Sequence, residues 1–435
     1  MVEGVAPSDT PGAEAWRLKA SLRQRCTEGQ VPAVVLGDLT LVRPVGWAGI
    51  PVVAVSPQPD DVAFRSRYVD GWCVVPGYLP PHDEATVRLL EQLGAALQDL
   101  TGGTRIPLIY GSDAQLELLY HHRAALERRF LFLLNDEDLG WALNDKGQFL
   151  ALCQRAGVPV PRTFIPAFEY QGDDRSRGAA GDLDALTPPL VVKPRTKSDW
   201  KDIQKALFQS KAKARVFPDA RALLGHSGFA GVRERLVVQE YIEAPVTNLR
   251  SFHGFADAHG QLLAWFTGHK LHTYPPVAGE SALLQLDHDR QVEDVGKETA
   301  ERLQLRGPFK LDLIRDPRDG QLYVLEVNAR FNLWHHLGAA HGVNLPALAC
   351  EYLLHGRAPV RPPEYRPRVR WQNLYRDLKA LRDLGPAGAA PSLGTLLRPT
   401  VHELFAWRDP APFLAQLTAL ASRYLPWRRR WPATV

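Results

Sequence analysis

The sequence predicts an open α/β layer over 31–143, followed by an antiparallel α+β region. Three observations carry this. The segments "VPAVVLG" (31–37), "PVVAVS" (51–56), "WCVVP" (72–76) and "IPLIY" (106–110) are short Val- and Ile-rich runs bounded by Gly, Pro or Asp, the pattern of parallel strands buried on both faces. Between the last two, "EATVRLLEQLGAALQDL" (84–100) places Leu90, Leu93, Leu97 and Leu100 at helical spacing, so strand and helix alternate as in doubly wound folds. From 190 onward, "LVVKP", "RLVVQEYI", "SFHGFAD", "QLLAWFTG", "FKLDLIRD" and "QLYVLEVNA" are strands. Hairpin signals at His259-Gly260 and at "PRDG" (317–320) join several of them.

Taken in order, residues 1–30 form a polar tail with a short helix expected at 14–25. The opening "MVEGVAPSDTPGAEAW" has neither a basic n-region nor a hydrophobic core, so no secretory leader is expected. The α/β layer lacks a G-x-G-x-x-G run and therefore a dinucleotide fingerprint. The stretch "QGDDRSRGAAGDLDALTPP" (171–189) is small and polar, a loop or linker. A second linker, "GPAGAAPSLG" (385–394), precedes an amphipathic helix near 411–425.

At 435 residues the chain exceeds what one core serves. Apolar residues make up 45% and charged residues 23%, an ordinary globular balance. No apolar run is long enough to span a bilayer. Cys26, Cys73, Cys153 and Cys350 are scattered without metal-ligand spacing and read as reduced thiols of a cytoplasmic protein. A net charge of +4 does not suggest a nucleic-acid partner.

The chemistry begins at "GQLYVLEVNARF" (320–331), where Glu326, Asn328 and Arg330 recur at every second position and should share a strand face, with Tyr323, Leu325 and Val327 on the other. In "FKLDLIRD", Lys310 and Asp312 alternate with Phe309, Leu311 and Leu313. A five-residue loop at 317–321 sets Asp312 opposite Glu326, with Cβ atoms about 5 Å apart. Two carboxylates that close need a cation between them. One reading supplies Lys310 and Arg330, a solvated charge ladder. The other supplies Mg²⁺, which takes oxygen ligands from one or two carboxylates and completes its shell with substrate phosphate. Asn328 could add an amide oxygen.

Upstream, "LNDKGQFLALCQRAGVPVPRTF" (143–164) places Lys146 at a helix head before a Gly-Val-Pro break, "PPLVVKPRT" (188–196) ends an apolar strand on Lys193, and "LVVQEYIEAP" (236–245) runs into Gln239, Glu240 and Tyr241. This series, closed by Asp…Glu-x-Asn-x-Arg, resembles the ATP-grasp superfamily over 140–350. The lead-in "YGSDAQLELLYHHRAALERRFLFLLNDEDLGWALNDK" (110–146) and "FNLWHHLGAAHGVNLP" (331–346) are similar to its carboxylate–amine ligases, the D-aspartate ligase-like group among them. The resemblance implies a pre-ATP-grasp domain at 31–143, a two-lobed ATP-grasp domain with antiparallel sheets at 144–358, and a C-terminal extension at 359–435.

Carried over by motif, Lys146 and Lys193 would hold ATP phosphates, a task suited to a compact point charge. Gln239 to Ile242 would line the adenine, with Glu240 and the backbone of Tyr241 and Ile242 reading its edge, and Glu243 would meet the ribose. Asp312, Glu326 and Asn328 would hold Mg²⁺, or Mn²⁺ in the same oxygen set. Arg330 would steady the transferred phosphoryl group. Lys270, with His269 and His272 in "FTGHKLHTYPPVAGES" (266–281), lies where the family keeps substrate and phosphate contacts. His335 and His336 are further polar or acid–base candidates.

The implied reaction activates a small-molecule carboxylate as an acyl phosphate and transfers it to an amine. A catalytically silent nucleotide-binding or scaffold protein on the same fold is the alternative. One departure from the family is plain: 182–224 contains no glycine, so a Gly-rich phosphate lid is missing, and Lys197, Lys201, Lys211 and Lys213 in the basic stretch 194–217 are its candidate substitutes. The tail "LASRYLPWRRRWPATV" (420–435) following the helix at 411–425 has the composition of a membrane-surface anchor, alternatively of a tail whose tryptophans pack on the body.

Overall fold

The computed structural model describes residues 2–5, 14–166, 183–196, 199–208, 213–275, 279–393 and 400–424. The chain falls into two compact units, one drawn from 1–132, 330–358 and 401–435, the other from 133–329 and 359–400. Most of the linker expected at 171–189 lies outside the described residues.

The first unit is built on β1 (Val2–Val5), β2 (Glu14–Leu18), β3 (Ala33–Leu36), β4 (Val52–Ser56), β5 (Val69–Val74), β6 (Ile106–Tyr110) and β7 (Phe130–Leu131), ordered β1-β2-β5-β4-β3-β6-β7. From β5 to β7 the neighbours are parallel. Every residue of β3, β4 and β6 is buried, which is why these strands read as continuous apolar runs rather than alternating ones. The helix Asp83–Leu100 buries Leu90, Leu93 and Leu97, as its spacing requires.

The helix expected at 14–25 is half wrong. Residues 14–18 form β2, which pairs antiparallel with β5 through Trp16 opposite Cys73, and the helix begins only at Ala20. Trp16 and Leu18 gain full burial by joining the sheet, and tertiary pairing of this kind overrides local helical preference.

The second unit carries two sheets. The smaller comprises β8 (Thr163–Phe164), β9 (Leu190–Pro194), β10 (Arg215–Phe217) and β11 (Leu236–Glu240), in the order β10-β9-β11-β8 and antiparallel throughout. Its core joins Leu190, Val192, Leu236 and Val238 to Ile203, Leu207, Phe208 and Phe217. The larger contains β12 (Leu249–Ala256), β13 (Leu262–Tyr274), β14 (Glu280–Asp287), β15 (Gly307–Arg315), β16 (Leu322–Asn328) and β17 (Arg370–Gln372), with neighbours β16-β15-β12-β13-β14-β17. These pairs are antiparallel. Gly260, at φ +80°, makes the turn between β12 and β13, where Asp257 accepts the amides of His259 and Gln261 at 2.8 Å.

The linker expected at 385–394 is instead helical to residue 393, as the end of the helix Leu374–Leu393. The helix runs through Gly385, Pro386, Gly388 and Pro391, residues that local preference does not place inside one.

Candidate active site

The site is assembled within the second unit. Asp145 caps the helix Lys146–Ala156 by accepting the amides of Gly147 and Gln148, which fixes Lys146 at the first helical position. The helix stops at Gly157, whose φ of +67° closes it in the left-handed region. Pro159 then accepts the Val324 amide of β16 at 2.8 Å, so the Gly-Val-Pro break ties this helix to the strand carrying Glu326.

On β9, Lys193 donates to Gln239 Oε1 at 2.8 Å. Burial, together with the charge of Lys146, lowers the Lys193 pKa to about 8, with Glu326 pulling the other way. Gln239 is 2% exposed, and its amide nitrogen donates to Thr163 Oγ1 at 2.9 Å. Its side chain is therefore engaged within the small lobe, where it aims Lys193. Two other hinge groups are also engaged. Glu240 Oε1 accepts the Thr187 amide at 2.7 Å, and the Tyr241 amide donates to the Pro189 carbonyl at 2.8 Å. Ile242 is buried and Glu243 exposed.

The β15–β16 pair sets Asp312 opposite Glu326 and Lys310 opposite Asn328, as the alternation predicts. The route differs from the expected one. The loop spans 316–321, one residue longer than anticipated, and a bulge between Asp312 and Leu313 absorbs the difference at Leu325. Beyond the bulge Tyr323 pairs with Ile314, which returns it to the Glu326 side, a correction to its expected place with Val327.

Asp312 is held by Lys310 Nζ at 2.6 Å and Lys270 Nζ at 3.5 Å, with all three side chains no more than 15% exposed. Burial alone would raise the Asp312 carboxyl, but the two lysines overcome it and hold the group well below the usual range. Glu326 is also lowered. Burial and Asp312 push it up, while Lys146, Lys310 and a hydrogen bond from Asn328 (3.2 Å) prevail. Lys310 emerges as a central cation. Its signal was already present in its place two residues before Asp312 on one strand face.

Arg330 departs from the expected arrangement. β16 ends at Asn328, so the two-residue alternation does not reach Arg330. Its guanidinium belongs to the first unit, where it clasps Asp113 through Nε at 2.7 Å and Nη2 at 3.1 Å. His335 and His336 are also in the first unit and buried. His336 stacks on Trp47 with centroids 5.1 Å apart, and burial beside Arg43 drives its pKa to about 3, so it is a neutral core residue and not an acid or base. His269 and His272 are hydrogen-bonded through Nδ1 to the carboxylates of Asp287 (2.6 Å) and Asp377 (2.5 Å). His272 pairs with Leu283 across a shifted register, one residue from the Lys270–Leu284 pair, which places it on the opposite sheet face from Lys270.

The basic stretch 194–217 packs on the small lobe through its described apolar residues. Ile203, Leu207, Phe208 and Phe217 enter the small lobe's core, while Lys201 and Lys213 stay exposed. Lys197 and Lys211 lie outside the described residues.

A small antiparallel lobe beside a larger antiparallel sheet has counterparts among solved structures. The biotin carboxylase domain of Hydrogenobacter thermophilus 2-oxoglutarate carboxylase, crystallised with MgADP, ADP and bicarbonate, superposes with a TM-score of 0.55 at 15% identity, covering 78% of this chain and 73% of that one. The L-amino acid ligase of Bacillus licheniformis gives 0.52 at 16% identity, covering 78% and 77%. The fold is ATP-grasp. In sequence, the ATP-grasp chain is 25% identical to the D-aspartate ligase of Enterococcus faecium (strain Aus0004) over 252 residues, which span 56% of this chain and 58% of that enzyme. No protein-family model matches it.

The carboxylates of Asp312 and Glu326 and the amide of Asn328 form a hard-oxygen donor set, which fits Mg²⁺. Among the described residues no group of three or more His, Cys, Asp or Glu stands ready to hold a metal. Two carboxylates are what a magnesium sharing its shell with phosphate needs.

Proposed function

We propose that this ATP-grasp protein is an ATP- and Mg²⁺-dependent ligase that joins a small-molecule carboxylate to an amine. The observation that carries the reading is the apposed pair Asp312–Glu326, ionised under Lys270 and Lys310 and facing Lys146 and Lys193 in one unit. A solvated charge ladder would not be buried, and a core would not concentrate four lysines around two carboxylates.

In the proposed reaction a carboxylate oxygen of the first substrate attacks the γ-phosphorus of ATP. The bond from that phosphorus to the β–γ bridging oxygen breaks, ADP leaves, and an acyl phosphate forms. The amine nitrogen then attacks the acyl carbon, orthophosphate departs, and the nitrogen loses a proton. Both anionic partners must be brought together, so charge neutralisation and alignment dominate the barrier. Lys146 and Lys193 hold the phosphates, while Lys270 and Lys310 face the developing charge, preorganised by Asp312. Bound at Asp312, Glu326 and Asn328, Mg²⁺ would supply a Lewis acid for the phosphate oxygens. We place the enzyme in the cytoplasm; no helix among the described residues is long and apolar enough to cross a membrane.

The test is ADP release from MgATP against a pool of amino acids and other small carboxylates with amines, beside Glu326→Ala. Substrate-dependent ADP that disappears in the variant supports the ligase. Calorimetric binding of MgATP without any substrate-dependent turnover favours the silent scaffold, and absence of binding overturns both.

A further inference from the structure

The C-terminal helix Ala411–Tyr424 is fastened along one side only. Just ahead of it, Asp409 is 1% exposed and accepts from Arg43 Nε at 3.0 Å, Ser66 Oγ at 2.8 Å and the Arg67 amide at 2.9 Å. Pro412 is buried, and Phe413 meets Phe405 edge-on at 5.3 Å. On the outer side Leu414 is 55%, Leu417 45% and Leu420 39% exposed. Leu414 and Leu417 share a helical face with Ala421, and Leu420 flanks it. In the loop before the helix, Trp407 stands 87% exposed. Scattered exposed leucines are ordinary, but a run of them on one helix beside an exposed tryptophan marks a surface built to be covered.

The charge pattern says by what. From Pro410 to Val435 the chain contains no Asp or Glu and four arginines, Arg423, Arg428, Arg429 and Arg430, the last three between Trp427 and Trp431. The structure of 425–435 lies outside the described residues, and only its composition enters here. Asp409 is taken by Arg43, and Asp60 and Asp61 line the groove on the inner side of the helix with Ala411, Ala415 and Ala419. If the tail folded over the leucines, it would carry its arginines onto an apolar face with no acidic residue of the helix to receive them. A bilayer offers both needs at once, acyl chains for the leucines and anionic headgroups for the arginines, with tryptophan suited to the boundary between them.

We infer that the helix Ala411–Tyr424 and the basic, aromatic segment after it dock this protein on an anionic lipid surface. The helix enters parallel to the membrane with Leu414, Leu417 and Leu420 downward, and Arg428, Arg429 and Arg430 meet the headgroups. This goes beyond the ligase reading and stands apart from it, since it concerns where the protein works.

The experiment is co-sedimentation of the full chain with phosphatidylcholine vesicles and with vesicles containing phosphatidylglycerol, at low and physiological salt. Binding is expected only to the anionic vesicles and weakens with salt. Arg428→Ser/Arg429→Ser/Arg430→Ser should weaken partitioning roughly a hundredfold, from about fivefold per arginine. Leu414→Glu/Leu417→Glu should abolish it, with unchanged thermal unfolding showing that the helix remains seated. ADP release without vesicles should be the same in all variants, so failure here leaves the ligase reading untouched. Absence of binding to anionic vesicles, or equal binding by the glutamate variant, overturns the inference. So does a gain in binding on deleting 426–435, which would mean that the tail covers the helix.

Discussion

Asp145 and Arg195 are joined at 2.7 Å between carboxylate and guanidinium, and the amide of Lys146, next to Asp145, donates to the Arg195 carbonyl at 3.0 Å. One residue precedes Lys146 and the other follows Lys193 by two positions. The pair therefore fixes the spacing between the helix that presents Lys146 and the strand that presents Lys193. Both side chains are less than 20% exposed, so solvent screens the pair only partly.

Arg195→Ala should act on ATP binding before it acts on folding. The expected result is a Kd for MgATP raised about tenfold, roughly 1.4 kcal/mol, with the unfolding transition still cooperative. Asp145→Ala removes the helix cap as well, which adds about 1 kcal/mol of destabilisation. A double-mutant cycle read by calorimetry should show coupling; strictly additive losses would mean that the pair does not position the lysines.

The apposed carboxylates separate binding from turnover. Glu326→Gln keeps shape and hydrogen bonding to Asn328 while removing charge, and should lower turnover at least about a hundredfold, through transition-state stabilisation of the size that one preorganised electrostatic group provides. Asp312→Asn leaves Lys310 and Lys270 without their anion and should lower stability too, whereas Asp312→Asn with Lys310→Met should recover stability and stay inactive. Full recovery of turnover in the double variant would mean that Asp312 only neutralises Lys310.

Much of this site was legible in the sequence, and the failures have physical causes. The loop count put Asp312 against Glu326, and the pair is right because the sixth loop residue and the bulge at Leu325 cancel, while period-two alternation set Lys310 beside Asp312. The bulge at Leu325 was invisible because an inserted residue leaves the composition unchanged, and it moves the residues on its loop side, Tyr323 and Val324 among them, to the opposite faces. Arg330 was assigned to the strand by continuing the alternation past Asn328, where the strand has already ended. Gln239 looked like a hinge residue, and only the cross-strand neighbours Lys193 and Thr163 reveal it as an internal strut. Residues 14–18 went wrong because β2 is made by a partner more than fifty residues away, which local pattern cannot report.

Lys193 gives a pH signature of opposite sign for folding and for ATP binding. Its pKa is about 8 in the folded protein against an ordinary value of 10.5. Between those values the unfolded chain holds a proton that the folded one lacks, so this residue makes stability rise with pH across the window; below it, both states are protonated and the burial cost is constant. ATP binding needs the charged ammonium, so affinity should fall as pH rises through about 8. Lys193→Met should lose both dependences, bind ATP at least about tenfold more weakly at neutral pH, and unfold at a higher temperature there. Calorimetry and thermal unfolding on either side of that pH check this, and parallel pH profiles in wild type and variant would refute it.

The buried pair Arg43–Asp409 supplies the sharpest stability prediction. The side chains are 0% and 1% exposed, and Arg43 also donates to the carbonyls of Glu403 and Leu404 at 2.9 and 2.8 Å. Asp409→Ala strands a guanidinium away from water, together with Ser66 and the Arg67 amide, and should cost about 3–5 kcal/mol. The loss comes from the partner left behind rather than from the worth of the pair. Arg43→Met/Asp409→Leu, which removes both charges, should therefore be markedly more stable than Asp409→Ala alone. Urea unfolding of the three proteins distinguishes the two accounts: if the double replacement is no better than the single one, the pair holds the segment 403–409 through its own attraction, and the desolvation argument fails.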